Sequence, residues 1–238
     1  MKITYIHHSS FLVELESVYL LFDYTEGTIP GMKREKPLLV LASHRHGDHY
    51  SPVIFDLIKE HGNVRFVLSN DIWRKRLPEE VLPLTDSLKH GETAKYRLEN
   101  GIIRQLTGTP ENQIEDGVIS DACLTIHTYK STDEGVAFLI EAEGKTIYHA
   151  GDLNNWRWEG EPDNWNDSMA KKYSAQIDKM AGMHLDVAFL PLDPRQEDDF
   201  YLGMDEFLHK VDVKHVFPMH CWGDYSVIGK IRALGCSA

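Results

Sequence analysis

The apolar residues of this chain fall in short runs separated by glycine, proline and charged residues. A short continuous apolar run is typical of a strand covered on both faces, and an alternating run is typical of a strand with one buried face. The stretch Leu38–Ala42 is of the first kind, and residues 122–129 are of the second. The same patterns predict strands over residues 3–6, 11–15, 18–22, 64–68, 96–99, 102–105, 136–141, 146–149, 187–192 and 215–217.

Helices are predicted between and after these strands. Residues 53–61 follow Ser51 and Pro52, which are typical of a helix N-cap and first turn, and precede Gly62, which is typical of a helix end. Further helices are predicted over residues 71–76, 167–181, 204–210 and 225–234. Because strands come first and helices are concentrated late, the pattern favours two packed sheets with helices outside.

Two dipeptides indicate tight hairpin turns. Asn100-Gly101 separates two predicted strands, and Asn-Gly is the preferred sequence of a primed turn. Glu143-Gly144 lies between two more strands and predicts a second hairpin. The chain shows no repeat and no linker-like segment, so we expect a single domain over residues 1–238.

The composition limits the partners. The chain has 238 residues, of which 25 are Lys or Arg and 37 are Asp or Glu, so its net charge of −12 disfavours nucleic acid or an anionic membrane. No stretch has the length of a membrane span, and the first residues lack the apolar core of a signal peptide. Three cysteines are too few for a disulfide framework. We therefore expect a cytoplasmic protein that acts on a small molecule; its oligomeric state is not indicated.

The densest group of candidate ligands is Ser-His-Arg-His-Gly-Asp-His, residues 43–49, directly after the buried strand. His44 and His46 are two residues apart, so extended backbone at the strand end points both the same way. Asp48 and His49 follow a glycine that lets the chain turn. A polar surface loop would explain one histidine, but not four metal-type ligands together. Imidazole and carboxylate both bind zinc and similar ions, so the segment is predicted to bind metal.

The pattern His-x-His-x-Asp-His resembles the signature of the metallo-β-lactamase fold superfamily, and in particular its small stand-alone hydrolases, which include lactonase-like members. Other segments at predicted strand ends resemble further motifs of that superfamily: Asp23 a supporting carboxylate, Asp152 a bridging ligand and His220 the last ligand. His8 resembles the histidine of a Gly-His-Ser segment, but His7 replaces the glycine, so an ordinary strand-end histidine is favoured. The resemblance implies an α+β fold, a four-layer αββα sandwich of two mixed β-sheets with helices outside.

The resemblance also implies two divalent metal ions. By the superfamily pattern, His44 and His46 bind one ion, Asp48, His49 and His220 bind the other, and Asp152 bridges them. Zinc is the expected ion, and a site without thiolate also accepts manganese, iron or nickel. Two cations lower the pKa of a shared water from 15.7 towards about 7, so a metal-bound hydroxide is the expected nucleophile. Asp48 and Asp152 are the expected catalytic carboxylates.

The third motif of the superfamily is missing, because the residues before Gly135 contain no histidine. His127 is nearby, but it lies inside a predicted strand on the face opposite to Leu124 and Ile126. Asp133 lies at the loop position, and its carboxylate can bind a hard or borderline cation. Asp133 is therefore favoured over His127 as the additional ligand, and water is the third alternative.

Four residues near the predicted ligands are candidates for substrate binding. Lys130 and Arg195 are placed to bind an anionic group, and Trp156 and Trp222 to line a cleft. The alternatives are that Arg195 forms a surface ion pair and that the tryptophans pack loops onto the sandwich.

The sequence thus predicts a metal-dependent hydrolase that cleaves an ester, lactone, amide or phosphodiester bond in a small, anionic metabolite. One alternative is an RNA- or DNA-processing nuclease of the same superfamily, which the net charge disfavours. The other is a non-catalytic metal-binding or sensor protein, which the missing third-motif histidine favours.

Overall fold

The computed structural model of the protein describes residues 1–99, 101–106 and 123–235. Within them the strands are β1 (Lys2–His7), β2 (Ser10–Glu14), β3 (Tyr19–Phe22), β4 (Leu38–Ala42), β5 (Val64–Ser69), β6 (Thr85–Leu88), β7 (Thr93–Glu99), β8 (Ile102–Leu106), β9 (Cys123–Lys130), β10 (Val136–Ala142), β11 (Lys145–His149), β12 (His184–Pro191) and β13 (Asp212–Met219). The α-helices are α1 (Leu57–Glu60), α2 (Asp163–Ile177), α3 (Leu202–Lys210) and α4 (Ser226–Ala233). None of these helices is long and apolar enough to cross a membrane.

The strands form two mixed sheets. The first has the order β1-β2-β3-β4-β5-β6, with antiparallel pairs from β1 to β3 and parallel pairs from β3 to β6. The second has the order β13-β12-β11-β10-β9-β7-β8, in which β11, β12 and β13 are parallel and the other pairs antiparallel. The carboxyl ends of the parallel strands therefore lie together at one edge of each sheet.

The central strand β4 shows why the two sheets stack. Leu39 and Leu41 belong to the core shared by both sheets, whereas Val40 points to a second core that includes α1. Because both faces of β4 are covered, its sequence is a continuous apolar run. On the far side of the second sheet, Phe207 of α3 stacks on Tyr148 of β11 with ring centroids 5.0 Å apart. The expected α+β architecture, an αββα sandwich of two mixed sheets, is confirmed.

The two predicted hairpins are present. Strands β7 and β8 pair antiparallel, although Asn100 of their turn lies outside the described residues. Between β10 and β11, Glu143 and Gly144 have φ values of 53° and 68°, as a primed turn requires.

The helix predictions were less accurate. The helix predicted over residues 53–61 is a 3₁₀ helix, Pro52–Asp56, that continues as the single turn of α1. The helix predicted over residues 71–76 is wrong, since only Arg74–Arg76 form a 3₁₀ turn. Helix α2 begins at Asp163, immediately after Pro162, rather than at residue 167. Strand β6 was not predicted at all.

Candidate metal centre

All the predicted ligands come together in two adjacent clusters of side chains. The first cluster contains His44, His46, Asp133 and Asp152, and the second contains His8, Asp48, His49 and His220. In each cluster the candidate ligand atoms lie within 4.8 Å of one another. Asp152 connects the clusters, because its Oδ2 is 3.3 Å from His44 Nε2 and its Oδ1 is 3.1 Å from His49 Nε2.

The clusters differ in exposure. In the second, the side chains of His8 and His220 are only 6% and 3% exposed, and their Nε2 atoms lie 3.4 and 3.6 Å from Asp48 Oδ2. In the first, the side chains of His46 and Asp133 are 41% and 46% exposed. The first cluster is therefore the more exposed of the two.

The donor atoms of the second cluster fit a cation. The Nε2 atoms of His8, His49 and His220 and the Oδ1 of Asp152 are buried without a hydrogen-bond partner. A buried polar atom without a partner is costly, and native proteins rarely leave several together. Asp152 Oδ1 lies 3.1 Å from His49 Nε2 and 3.4 Å from His220 Nε2, and His8 belongs to the same group of candidate ligands as these two histidines. A divalent cation bound by this group would accept the lone pairs that have no hydrogen-bond partner.

Two buried carboxylates orient the histidines of the second cluster. Asp23 Oδ2 accepts a hydrogen bond from His49 Nδ1 at 2.7 Å, and Asp193 Oδ2 accepts one from His220 Nδ1 at 2.9 Å. Both carboxylates are fully buried. A carboxylate on Nδ1 fixes the tautomer in which the Nε2 lone pair is free, and this arrangement is typical of metal-binding histidines.

The charges of the site are strongly coupled. Burial raises the pKa of Asp152, but His49 and His220 outweigh burial and lower it well below the usual range. Burial lowers the pKa of His49, but Asp152 outweighs that effect and raises it. Burial lowers the pKa of His8 by more than the Asp48 carboxylate raises it, which favours a neutral imidazole. Asp152 therefore presents negative charge to a cation, and a cation bound at Nε2 of His49 would displace the proton from that atom.

Two glycines bring the loops that carry the carboxylates against the metal-binding segment. At Gly135 a Cβ atom would lie 2.0 Å from the carbonyl oxygen of Ser43, and at Gly151 it would lie 2.7 Å from Ser43 Cβ. The backbone N–H of Val136 donates to Ser43 O at 2.9 Å. These close approaches place Asp133, two residues before Gly135, and Asp152, next to Gly151, beside His44.

A cavity of about 400 Å³ opens above the clusters. Arg195, Trp156 and Trp222 line it, together with Asp133 and Asp152. Trp156 is buried, and its Nε1 donates to the carbonyl oxygen of Asp152 at 2.9 Å. It therefore also packs the loop after β11, which was the alternative interpretation of the tryptophans.

Arg195 is held at the cavity wall. Its Nε and Nη2 donate to the buried carboxylate of Asp193, and its guanidinium lies 4.3 Å from the ring centroid of Trp222. Its partner is thus Asp193, rather than a surface acid as in the alternative interpretation. Burial raises the pKa of the Asp193 carboxyl, but His220 and Arg195 outweigh burial and lower it to about 2.

Two predictions need revision. Lys130 is exposed and is not among the residues lining the cavity, because β9 extends through Lys130 and only the following loop reaches the site. His8 is no ordinary strand-end histidine, because its Nε2 belongs to the second cluster. The Gly-His-Ser resemblance was the available signal for His8, and the replacement of glycine by His7 obscured it.

The alternative third-motif ligand, His127, lies away from both clusters. Its Nδ1 is 2.9 Å from Thr93 Oγ1, and its Nε2 is 3.5 Å from Glu141. Asp133, by contrast, has its Oδ2 3.6 Å from His46 Nδ1. The geometry thus gives Asp133, and not His127, the position of a ligand in the first cluster.

Comparison with known proteins agrees with this geometry. A family model described as a β-lactamase superfamily domain matches residues 2–161. A protein from Desulforamulus reducens named UPF0173 metal-dependent hydrolase is 28% identical over 230 residues, which cover 92% of this chain and 84% of that protein.

Solved structures show the same fold. Igni18, a metallo hydrolase from Ignicoccus hospitalis, superposes with a TM-score of 0.56 at 17% identity, covering 99% of this chain and 91% of that one. YhfI from Bacillus subtilis, a metallo-β-lactamase fold protein, gives a TM-score of 0.50 at 14% identity and covers 94% of this chain and 84% of that one.

Proposed function

The chain belongs to the β-lactamase superfamily and is a metal-dependent hydrolase, and we propose that it cleaves an ester, lactone, amide or phosphodiester bond in a small, anionic metabolite. The observation that carries the proposal is the arrangement of two ligand clusters joined by the two carboxylate oxygens of Asp152. Such an arrangement suits two adjacent cations and the hydrolytic reactions that paired cations support.

The proposed ligands of the first ion are His44, His46, Asp133 and Asp152, and those of the second are His8, Asp48, His49, His220 and Asp152. Bound divalent cations supply Lewis acidity and lower the pKa of water. We propose zinc first, and manganese, iron or nickel as substitutes, since the donors are nitrogen and oxygen without thiolate.

The protein's own side chains prepare the reaction. Asp23 and Asp193 keep the imidazoles of His49 and His220 in one tautomer and orientation. Asp48 and Asp152 supply the negative charge of the site, and a carboxylate that faces the reacting water can also accept a proton from it.

Arg195 is proposed to bind the anionic part of the substrate. A guanidinium has five N–H donors, and Asp193 engages only those on Nε and Nη2, so the remaining donors are available to a carboxylate or phosphate. Trp222 offers a flat apolar surface beside it, since its side chain is half exposed. Among the residues that line this cavity, Arg195 is the one Lys or Arg side chain, which suits a small anion better than a polynucleotide.

The test combines metal analysis with an activity panel. Protein reconstituted with zinc, manganese, iron or nickel should contain up to two ions per chain, and it should hydrolyse at least one anionic ester, lactone, amide or phosphodiester. His46→Ala should lower the metal content and abolish the activity, whereas His127→Ala should do neither. Metal-free protein after reconstitution would refute the two-ion site, and metal-loaded protein inactive on the whole panel would favour the sensor alternative.

A further inference from the structure

A second cavity reaches the metal clusters from the other side of Trp222. Its volume is about 480 Å³, and its lining includes His8, Asp48, Tyr5 and Tyr225. Asp48 and Trp222 line both cavities, whereas Arg195 lines only the first and His8 only the second. Both cavities are therefore bordered by Asp48, a member of the second cluster.

Trp222 is the partition between the two cavities. Its ring centroid lies 4.3 Å from the guanidinium of Arg195 and 4.7 Å from the ring centroid of His8. Its backbone φ is +48°, a left-handed conformation that L-residues rarely adopt. Such strain persists only where the surroundings fix it, and here the ring is held between a residue of each cavity.

The second cavity differs in chemistry from the first. No Lys or Arg is among its lining residues. Its acidic members are Asp48 of the second cluster and the exposed Glu26, whose carboxylate lies 3.0 Å from Nε2 of His7. The hydroxyl groups of Tyr5 and Tyr225 are hydrogen-bonded at 3.0 Å, and both rings are partly exposed. Aromatic faces with hydroxyl groups and no Lys or Arg suit an uncharged group that has a flat apolar surface and a polar tip.

We propose that the second cavity binds the neutral alcohol portion of the substrate, the leaving group, while the Arg195 cavity binds the anionic acyl portion. The inference rests on the proposed function, because it places the scissile bond beside Asp48, the metal-cluster residue that borders both cavities. In the hydrolysis, the oxygen of water bonds to the acyl carbon and the bond from that carbon to the alcohol oxygen breaks. One proton of the water ends on the alcohol oxygen, so the products are a carboxylic acid and a neutral alcohol.

The first experiment measures how fast the zinc- or manganese-loaded protein hydrolyses two half-esters of glutaric acid, the methyl and the benzyl ester. Both carry one carboxylate for Arg195 and release an alcohol of similar acidity, so they differ mainly in the group offered to the second cavity. We expect kcat/KM to be about tenfold higher for the benzyl ester, from burial of the ring. A 3-carboxybenzyl ester should lose this advantage, because its second carboxylate would enter a cavity that is lined by Glu26 and by no Lys or Arg.

Thr25→Phe tests the location, because Thr25 lines the second cavity and a larger side chain would fill it. The benzyl-to-methyl ratio should fall towards one. Thr28→Phe is the matched control, since Thr28 is exposed on the same loop outside both cavities, and it should keep the ratio. If Thr25→Phe fails to fold, Tyr225→Ser, which removes part of the cavity wall, should lower the ratio as well. An equal rate for both esters in the native protein, or an unchanged ratio in the soluble variants, would overturn the proposal.

A binding experiment separates this proposal from the function on which it rests. The protein has five tryptophans, and 5-fluorotryptophan labelling with Trp222→Phe as the assignment control identifies the fluorine resonance of Trp222. Benzyl alcohol should shift that resonance in the native protein and in Thr28→Phe, but not in Thr25→Phe. A shift without hydrolysis of either ester would support the binding cavity and overturn the ester chemistry, whereas no shift would overturn the cavity even if both esters are cleaved.

Discussion

The substitution Asp23→Asn tests how much metal affinity depends on a carboxylate that is not itself a candidate ligand. Asp23 is fully buried and accepts three hydrogen bonds, from the backbone N–H of Ser43 at 2.7 Å, from the Ser43 hydroxyl at 2.6 Å and from His49 Nδ1 at 2.7 Å. An ionised carboxylate only accepts hydrogen bonds, so it keeps Nδ1 of His49 protonated and leaves Nε2 available. An asparagine of the same shape has one oxygen acceptor and one NH₂ donor.

The expected size of the effect follows from this geometry. One of the three donors must face the new NH₂ group, and if it is His49 Nδ1, the imidazole must change tautomer and lose its free Nε2. Removing the carboxylate partner of a metal-binding histidine lowers metal affinity by about 10- to 100-fold. That range corresponds to about 1.4–2.7 kcal/mol. The loss should be larger at the second cluster, which includes His49, than at the first, which Asp23 reaches only through the Ser43 hydroxyl, 3.0 Å from His44 Nδ1.

Competition titration against a chromophoric chelator measures the two affinities as separate phases. The native protein should show two phases, and Asp23→Asn should weaken one of them clearly more than the other. The control is Asp186→Asn, which removes a carboxylate that accepts hydrogen bonds from Lys145 and from the backbone of Thr146, outside both clusters. If Asp23→Asn binds both ions as the native protein does, the assigned role of the Asp23–His49 contact is wrong.

Three further predictions follow from the same structure. Asp133→Ala should weaken binding of one ion while His127→Ala leaves both in place, as measured by elemental analysis; the reverse result would transfer the ligand role to His127. Arg195→Glu should raise KM more than it lowers kcat in steady-state kinetics, because it removes uniform binding of an anion; unchanged kinetics would end the anionic-substrate proposal. Burial raises the pKa of Glu143, but hydrogen bonds from Ser17 outweigh burial and lower it, so its stabilisation is present above the pKa of the unfolded chain and is lost as the pH falls through the folded pKa. Between about pH 5 and pH 3, urea unfolding should therefore show a larger loss of stability for the native protein than for Glu143→Gln, and equal losses would refute this assignment.

The sheets were predictable because their sequence signals are local. Strand β4 is apolar throughout since both its faces are covered, and Glu143-Gly144 is a turn sequence whose backbone conformation admits few alternatives. The segment that follows β4 was predictable for the same reason, since its ligands are close in sequence and share one strand end. Asp152 and His220 were found through their resemblance to superfamily motifs.

The parts that were missed depend on contacts between distant segments. Strand β6 has a mixed sequence that is paired only because β5 lies beside it. Residues 71–76 carry helix-forming residues, but the aspartate that begins them accepts a hydrogen bond from the backbone N–H of Arg45, which holds that end of the segment in a turn. His8 joins the second cluster through Asp48, which is forty residues away along the chain. Local sequence patterns do not report a contact between residues so far apart.

Four residues of the site share one backbone feature. Among the described residues, His8, Asp23, His220 and Trp222 all have positive φ values, between 42° and 63°, although none is a glycine. Glycine would relieve the strain, which costs on the order of 1–3 kcal/mol per residue, but it would remove the imidazole, carboxylate or indole that the site uses. At these four positions the backbone preference of L-residues therefore conflicts with the need for a functional side chain, and the functional side chain is kept.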